Sequence, residues 1–214
     1  MTTKIGLIGS GNIGRTLTEL LVEAGHEVMV SNSRGPESLA DLVTELGSGA
    51  RAGTPAEAGA FGEIVIEAIP FGEYSELPVD ALAGKIVVSA SNYYPNRDGE
   101  IEFDGLSQTE VVAGHLRDAR VVKAFNTMHW ETLRDEGRPT APASERLVVF
   151  LAGDDPVAKA VVSDLIAEIG FTPVDTGSLA EGGRRQEPGS PIYGEPMRPD
   201  EARTTLAELD NRSA

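Results

Sequence analysis

The sequence predicts an α/β fold, a doubly wound, mainly parallel sheet with helices on both faces. Three observations carry this. Short apolar runs alternate with stretches whose apolar residues recur at helical spacing. Runs such as Ile86–Ser89 and Val121–Ala124 are almost continuously apolar, as strands covered on both faces must be. The 24 glycines supply the tight connections that such alternation needs.

Taken in order, Lys4–Ile8 is the first strand, closed by Gly9. Ile13, Leu17, Leu20, Leu21 and Ala24 then mark one face of a helix that stops at Gly25. Glu27–Val30 is the second strand. Pro36 at a first helical position, followed by Leu39, Leu42, Val43 and Leu46 before Gly47, marks the second helix. Ala50–Gly53 supplies a short third strand before a helix-like Pro55–Ala60. Further strands are expected at Ile64–Ile69, Ile86–Ser89, Val121–Ala124, Leu147–Leu151 and Phe171–Val174, with a helix over Pro156–Ile169. Glu67 interrupts its run, so its carboxylate either leans out at the strand end or has a partner that the sequence does not name.

Tyr93–Asp118 reads as a long excursion over the mouth of the sheet, with a turn near Asn96–Gly99 and partial helix over Leu106–Leu116. After Asp175 the composition shifts to Gly, Pro and charge, and Asp200–Leu209 carries Ala202, Leu206 and Leu209 on one helical face. Residues 1–180 are therefore expected to form one domain with a cleft. Residues 181–214 form a tail and a short helix that pack on this domain or on a partner subunit. An apolar stripe on a terminal helix needs cover, so a homodimer with the tail on a neighbour is expected.

Gly9-Ser10-Gly11-Asn12-Ile13-Gly14 begins where the first strand ends and opens the first helix. That context turns a weak glycine pattern into a Rossmann-type dinucleotide cradle: Gly9 permits the turn, Gly11 lets a pyrophosphate reach backbone N–H groups, and Gly14 lets helix and strand pack closely. Ser10, Asn12 and Ile13 belong to the same cradle, at a helix N-terminus that favours anions. The bland alternative is a glycine-rich turn that binds nothing.

An NAD site usually places Asp or Glu on the ribose about 20 residues beyond the glycines. Here the second strand runs into Ser31-Asn32-Ser33-Arg34, with no carboxylate before Glu37. Asn32, Ser33 and Arg34 suit a 2′-phosphate instead, and the guanidinium can grip it through paired donors. At about 1.5–3 kcal/mol for a charged hydrogen bond, Arg34 alone supplies roughly a ten- to a hundredfold preference for NADP over NAD. The alternative is a solvated Arg34 beside a Ser33 that caps the next helix.

Ligands of open α/β sheets bind at the carboxyl ends of the strands. Those ends present Ile69, Pro70 and Phe71, then Ser91 and Asn92, then Phe125 and Asn126. Pro70 stops its strand rigidly, and Phe71 is placed to pack on the cofactor. Turn chemistry or core packing is the competing role for each.

Eighteen basic against thirty-four acidic side chains give a formal charge of −16, which repels nucleic acid and anionic membrane surfaces. With no cysteine, disulfides, thiolate metal sites and cysteine nucleophiles are excluded. No apolar run approaches a membrane span, and no signal-like segment precedes the first strand, so a cytoplasmic protein is expected. His26, His115 and His129 lack metal-ligand spacing on one element, and no metal site is expected. His129 lies just past Asn126-Thr127, where it can face an acceptor or simply the solvent. Trp130, Tyr93 and Tyr94 offer stacking surfaces or ordinary packing. Arg184 and Arg185 offer an anion contact or ties to an acidic surface.

Together, Gly9–Gly14, Ser31-Asn32-Ser33-Arg34-Gly35-Pro36, Ala68-Ile69-Pro70-Phe71 and Val121-Val122-Lys123-Ala124-Phe125-Asn126-Thr127 resemble the NADP oxidoreductase family typified by NADPH-dependent reductases of the deazaflavin coenzyme F420. The resemblance covers roughly residues 4–190, with Gly182–Gly189 and Pro191-Ile192-Tyr193-Gly194 similar to the family's ending. It implies NADP(H) at Ser33 and Arg34, the nicotinamide near Pro70, Asn92 and Asn126, and a deazaflavin or flavin as the second, small-molecule hydride partner. Asn92–Gly99 matches no deazaflavin clamp. Hydride transfer between two rings needs alignment more than a positioned acid or base, so no catalytic residue is assigned. The β-hydroxyacid dehydrogenases share a similar first half but use a large helical C-terminal domain, for which too little chain follows Phe150. A non-catalytic NADP(H) sensor is the other reading of the same cleft.

Overall fold

The computed structural model describes residues 2–213. In chain order the elements are β1 (Lys4–Ile8), α1 (Asn12–Glu23), β2 (Glu27–Ser31), α2 (Ala40–Leu46), β3 (Ala50–Gly53), α3 (Pro55–Phe61), β4 (Ile64–Glu67), α4 (Val79–Leu82) and β5 (Ile86–Ser89). There follow α5 (Pro95–Asp98), α6 (Gln108–His115), β6 (Arg120–Ala124), α7 (Trp130–Asp135), β7 (Val148–Gly153), α8 (Pro156–Glu168), β8 (Thr172–Asp175) and α9 (Pro199–Ser213). Short 3-10 turns precede α2 and α4, and a π-helical turn spans Leu179–Gly183.

All eight strands form one sheet in the order β3-β2-β1-β4-β5-β6-β7-β8. The chain steps outward from β1 to β3, then returns past β1 to lay down β4. The resulting crevice between the carboxyl ends of β1 and β4 is the switch point where such sheets bind ligands. The sheet is parallel through β6, as the alternation of elements predicts. The unit β7-α8-β8 is internally parallel but runs antiparallel to β6, with Val122 opposite Gly153 and Ala124 opposite Leu151. A buried apolar run carries no sign of its direction, so this reversal was invisible in the pattern.

Local chemistry explains the boundaries. Helix α3 starts with Pro55 and a capping box between Thr54 and Glu57, and α6 with one between Ser107 and Glu110. Asp155 caps α8 ahead of Pro156. One core face joins Leu7, Ile66, Val88 and Val122 to Leu17 and Leu21 of α1 and Leu165 of α8. The opposite face joins Ile8, Val65, Val87 and Val121 to Ala58, Leu82 and Val112.

A third cluster places the terminal helix on its own domain, one of the two placements expected for it. Ala202 of α9, with Leu206 and Leu209, covers Val148, Phe150, Val174 and Ile192 of its own chain. The stripe therefore finds cover without a partner. At the edge opposite the cleft, buried His26 accepts from the Thr3 backbone N–H through Nδ1 and meets Glu168 through Nε2 at 2.9 Å. Among the described residues no helix is long and apolar enough to cross a membrane.

Candidate functional site

The glycine loop fits a diphosphate by what its glycines leave open and what they fill. Gly9 has φ of 109°, and a Cβ there would stand 2.4 Å from the Ala68 carbonyl oxygen. A Cβ on Gly14 would stand 1.9 Å from the Gly9 carbonyl oxygen, so turn and helix touch. Gly11 differs: a Cβ there would meet nothing in the protein within 4 Å. It would project into the space that an approaching phosphate needs. Gly11 is also the N-cap of α1, which has no side-chain cap and no acidic residue in its first turn. Its first N–H groups are thus open to an anion.

Two cavities meet at this loop. One, of about 350 Å³, is lined by Gly9, Ser10, Asn32, Ser33 and Arg34, with Glu73 and Glu76 opposite. The other, of about 500 Å³, is lined by Asn12, Ile13, Ser91, Asn92, Phe125 and Asn126 on its sheet side. Gly11, Ala68, Ile69 and Pro70 line both. They form one cleft across the switch point, with the cradle at its middle.

Ser33 and Arg34 are exposed at the first end, and among the described residues no acceptor holds the Arg34 guanidinium. Asn32 is already engaged. Its amide donates to Ser10 Oγ at 3.0 Å and Ser38 Oγ at 2.9 Å, and its oxygen accepts the Arg34 N–H at 2.9 Å. It shapes the turn that presents Ser33 and Arg34.

At the other end, Asn92 and Asn126 interlock. Asn92 donates to the Asn126 carbonyl at 2.8 Å, while Asn126 donates to Asn92 Oδ1 at 2.9 Å and to the Gln186 carbonyl at 2.7 Å. Asn126 Oδ1 has no partner among the described residues. Phe125 between them has φ of 65°, a conformation that costs a non-glycine residue on the order of 1–3 kcal/mol and concentrates at functional sites. Phe71 departs from expectation. It is 1% exposed and lines neither cavity, being buried among Tyr74, Tyr93 and Phe103 with ring centroids 5.5 to 5.8 Å away. Its aromatic area found a better partner beneath the crossover than the cleft could offer.

The outer wall was only partly legible. Tyr94, Arg97, Met128, His129 and Trp130 line the larger cavity, joined by Tyr193 from the C-terminal strap. The Tyr94 and Tyr193 hydroxyls hydrogen-bond across the opening, and Arg97 lies over the Tyr94 ring at 5.0 Å. Arg97 is itself held by Asp98 and the Asn92 carbonyl. Burial and the Tyr94 contact push the Tyr193 phenol well above its ordinary range. Tyr93, by contrast, donates to the Gly99 carbonyl and packs with Phe71 and Phe103. His115 sits against Leu77 and Tyr74 and lines neither cavity. Arg184 and Arg185 are tied to the Gly105 carbonyl and to Asp210. No group of three or more acidic or histidine side chains that could hold a metal occurs among the described residues.

Behind the cleft, Glu67 has the partner that the sequence left unnamed. Its carboxylate is 1% exposed and accepts the hydroxyls of Ser89 and Ser91, with Lys123 acting on it from β6.

Residues 4–93, which build the cradle, the Arg34 turn, Ile69 and Pro70, match the model of the family described as NADP oxidoreductase, coenzyme F420-dependent. Over these residues the chain carries that family's pattern. Among solved structures, this chain is similar to a hypothetical protein from Sinorhizobium meliloti, at 33% identity over 92% of this chain and 96% of that one, with a TM-score of 0.80. It is also similar to a proposed F420-dependent NADP-reductase from Arthrobacter sp. FB24, at 27% identity over 85% and 89% of the two chains, with a TM-score of 0.70. A metalloreductase, STEAP3 of Rattus norvegicus, is 35% identical over 83% of this chain, which spans 34% of that protein's length. The family and the lining of the cleft agree on a nicotinamide dinucleotide.

Proposed function

We propose that this chain binds NADP(H) along the cleft and passes a hydride between the nicotinamide and a small ring acceptor, a deazaflavin or flavin. The carrying observation is the continuity of the two cavities at Gly11 and Pro70. The cradle N–H groups hold the diphosphate, and Arg34 with Ser33 pairs the 2′-phosphate. The larger cavity takes the nicotinamide against Ser91, Asn92 and Asn126. The nicotinamide supplies the hydride when bound.

The chain's own contribution is alignment and exclusion of water. Pro70 fixes the path of the strand end, and the rigid Asn92–Asn126 pair shapes the floor. Tyr94, Trp130 and Tyr193 provide flat surfaces for a planar acceptor opposite. The similarity to a metalloreductase fits a ring carrier as well. A hydride carries two electrons whereas a metal ion takes one at a time, so a flavin-type ring between them reconciles the two.

Two measurements test this reading. Calorimetric titration with NADP and NAD is expected to give at least tenfold tighter NADP binding, lost on Arg34→Ala with little change for NAD. Equal affinities in the native chain contradict the NADP assignment. Oxidation of NADPH in the presence of deazaflavin, flavin and quinone acceptors is then followed by nicotinamide absorbance. Tight binding without turnover on any of them supports the sensor instead.

A further inference from the structure

Behind the larger cavity lies a row of polar side chains that holding a diphosphate does not require. The register aligns Glu67, Ser89 and Lys123 across β4, β5 and β6, so the three leave the same face of the sheet. Each is about 1% exposed. Ser89 Oγ donates to Glu67 Oε1, and Ser91 Oγ donates to the same oxygen at 2.9 Å. Glu67 Oε2 accepts no hydrogen bond among the described residues. Lys123 Nζ reaches the Ser91 carbonyl at 3.4 Å. Only Ser91 of this group lines the cavity. Stability gives little reason for the row, because apolar replacements of buried charges are often neutral or favourable.

We propose that Glu67 is a positioning residue for the nicotinamide end of the cleft. It holds the Ser91 hydroxyl with its hydrogen turned inward and its lone pairs toward the cavity, and it releases that orientation on taking up a proton. The proposal rests on the dinucleotide reading above.

The argument is one of donors and acceptors. An ionised carboxylate only accepts, so both hydroxyls give their hydrogens to Oε1. Protonation at Oε1 turns that oxygen into a donor, and it can no longer take both. Protonation at Oε2 instead would strand a buried donor without an acceptor. Ser91, at the cavity wall, is the hydroxyl free to turn outward. A carboxamide N–H of the nucleotide then loses its acceptor and meets a donor.

The switch falls in the neutral range. Burial pushes Glu67 up to about 7, opposed by the two serine hydroxyls, by the Ile69 backbone N–H and by Lys123. Burial pulls Lys123 down to about 8, opposed by Glu187 and Glu67. The groups facing Glu67 are thus Lys123 from β6, the neutral Ser89 and Ser91 from β5 and its end, the Ile69 backbone N–H just past β4, and Ile8 in register on β1. Glu187 of the strap acts on Lys123, and its carboxylate is anchored by the Gln108 N–H at the start of α6.

The test compares NADPH with 2′-phospho-ADP-ribose, which keeps the diphosphate and the 2′-phosphate but lacks the nicotinamide. Both are titrated into the full chain by calorimetry between about pH 5.5 and 8.5, which brackets the neutral range. Taking the ratio of the two affinities cancels titration of the shared 2′-phosphate. In the native protein this ratio is expected to rise about two- to tenfold as pH passes through neutrality, the worth of one hydrogen bond. NADPH binding is expected to release protons near the midpoint. Glu67→Gln and Ser91→Ala are each expected to flatten the ratio, and Ser91→Ala decides alone if the first variant does not fold. A flat ratio in the native protein, or the same slope in the variants, overturns the proposal while leaving NADPH binding intact. Absence of NADPH binding at every pH overturns the dinucleotide reading and this proposal with it.

Discussion

Gly11 and Gly14 are three residues apart, yet alanine at each should fail differently. Gly14→Ala places a methyl 1.9 Å from the Gly9 carbonyl oxygen, so the turn must move. A loss on the order of 1–3 kcal/mol in unfolding free energy is expected from such overpacking, read by urea denaturation. Gly11→Ala meets nothing in the protein and sits at φ of −69°, which any residue adopts. It should unfold like the native chain while dinucleotide affinity falls at least tenfold, because the methyl occupies the phosphate approach. Equal stability losses in the two would refute this division of roles. These glycines were legible in the sequence because turn, cradle and helix start are contiguous. Ser33 and Arg34 were legible for the same reason. Tyr193 was not: it meets Tyr94 across 99 positions of chain, and no local pattern announces such a contact. Phe71 misled because an aromatic side chain at a strand end reads alike whether it turns to the cleft or to the core.

At the scale of elements, the row across β4, β5 and β6 makes stability depend on pH in two opposite limbs. Between about pH 4.5 and 7 the unfolded chain ionises Glu67 while the folded chain keeps its proton, so stability falls as pH rises. Between about pH 8 and 10.5 the unfolded chain keeps the Lys123 proton that the folded chain has lost, so stability rises with pH. Each limb is worth on the order of 3 kcal/mol for these fully buried groups. The difference in unfolding free energy between native protein and Glu67→Gln should therefore change across the acid limb. A difference that stays constant from pH 5 to 7 contradicts a raised Glu67. Most strands and helices were readable from period and punctuation. The reversed β7-α8-β8 unit was not, since hydrophobic patterning is the same for a strand run in either direction. Glu67 was noticed as an interruption, but its partners come from neighbouring strands and only the register joins them.

For the whole molecule, the cleft at the switch point and the cap of α9 on β7 and β8 occupy different ends of one sheet. A chain ending at Arg198 should lose thermal stability, because Val148 and Phe150 become exposed, yet bind 2′,5′-ADP with unchanged affinity. Loss of that binding in a folded truncation would mean that α9 supports the adenosine end. The strap from Leu179 to Gly194 links the two ends through Arg185 to Asp210, Gln186 to Asn126 and the Gly194 N–H to the Thr127 carbonyl. The formal charge of −16 makes the cradle's N–H groups and Arg34 a local exception on an acidic surface. The most direct test is a crystal structure of the chain with NADP. The diphosphate should lie against Gly11 and the first turn of α1, with the 2′-phosphate at Arg34 and the nicotinamide beside Ser91 and Asn126. A dinucleotide bound elsewhere, or none in this cleft at saturating concentration, contradicts the account.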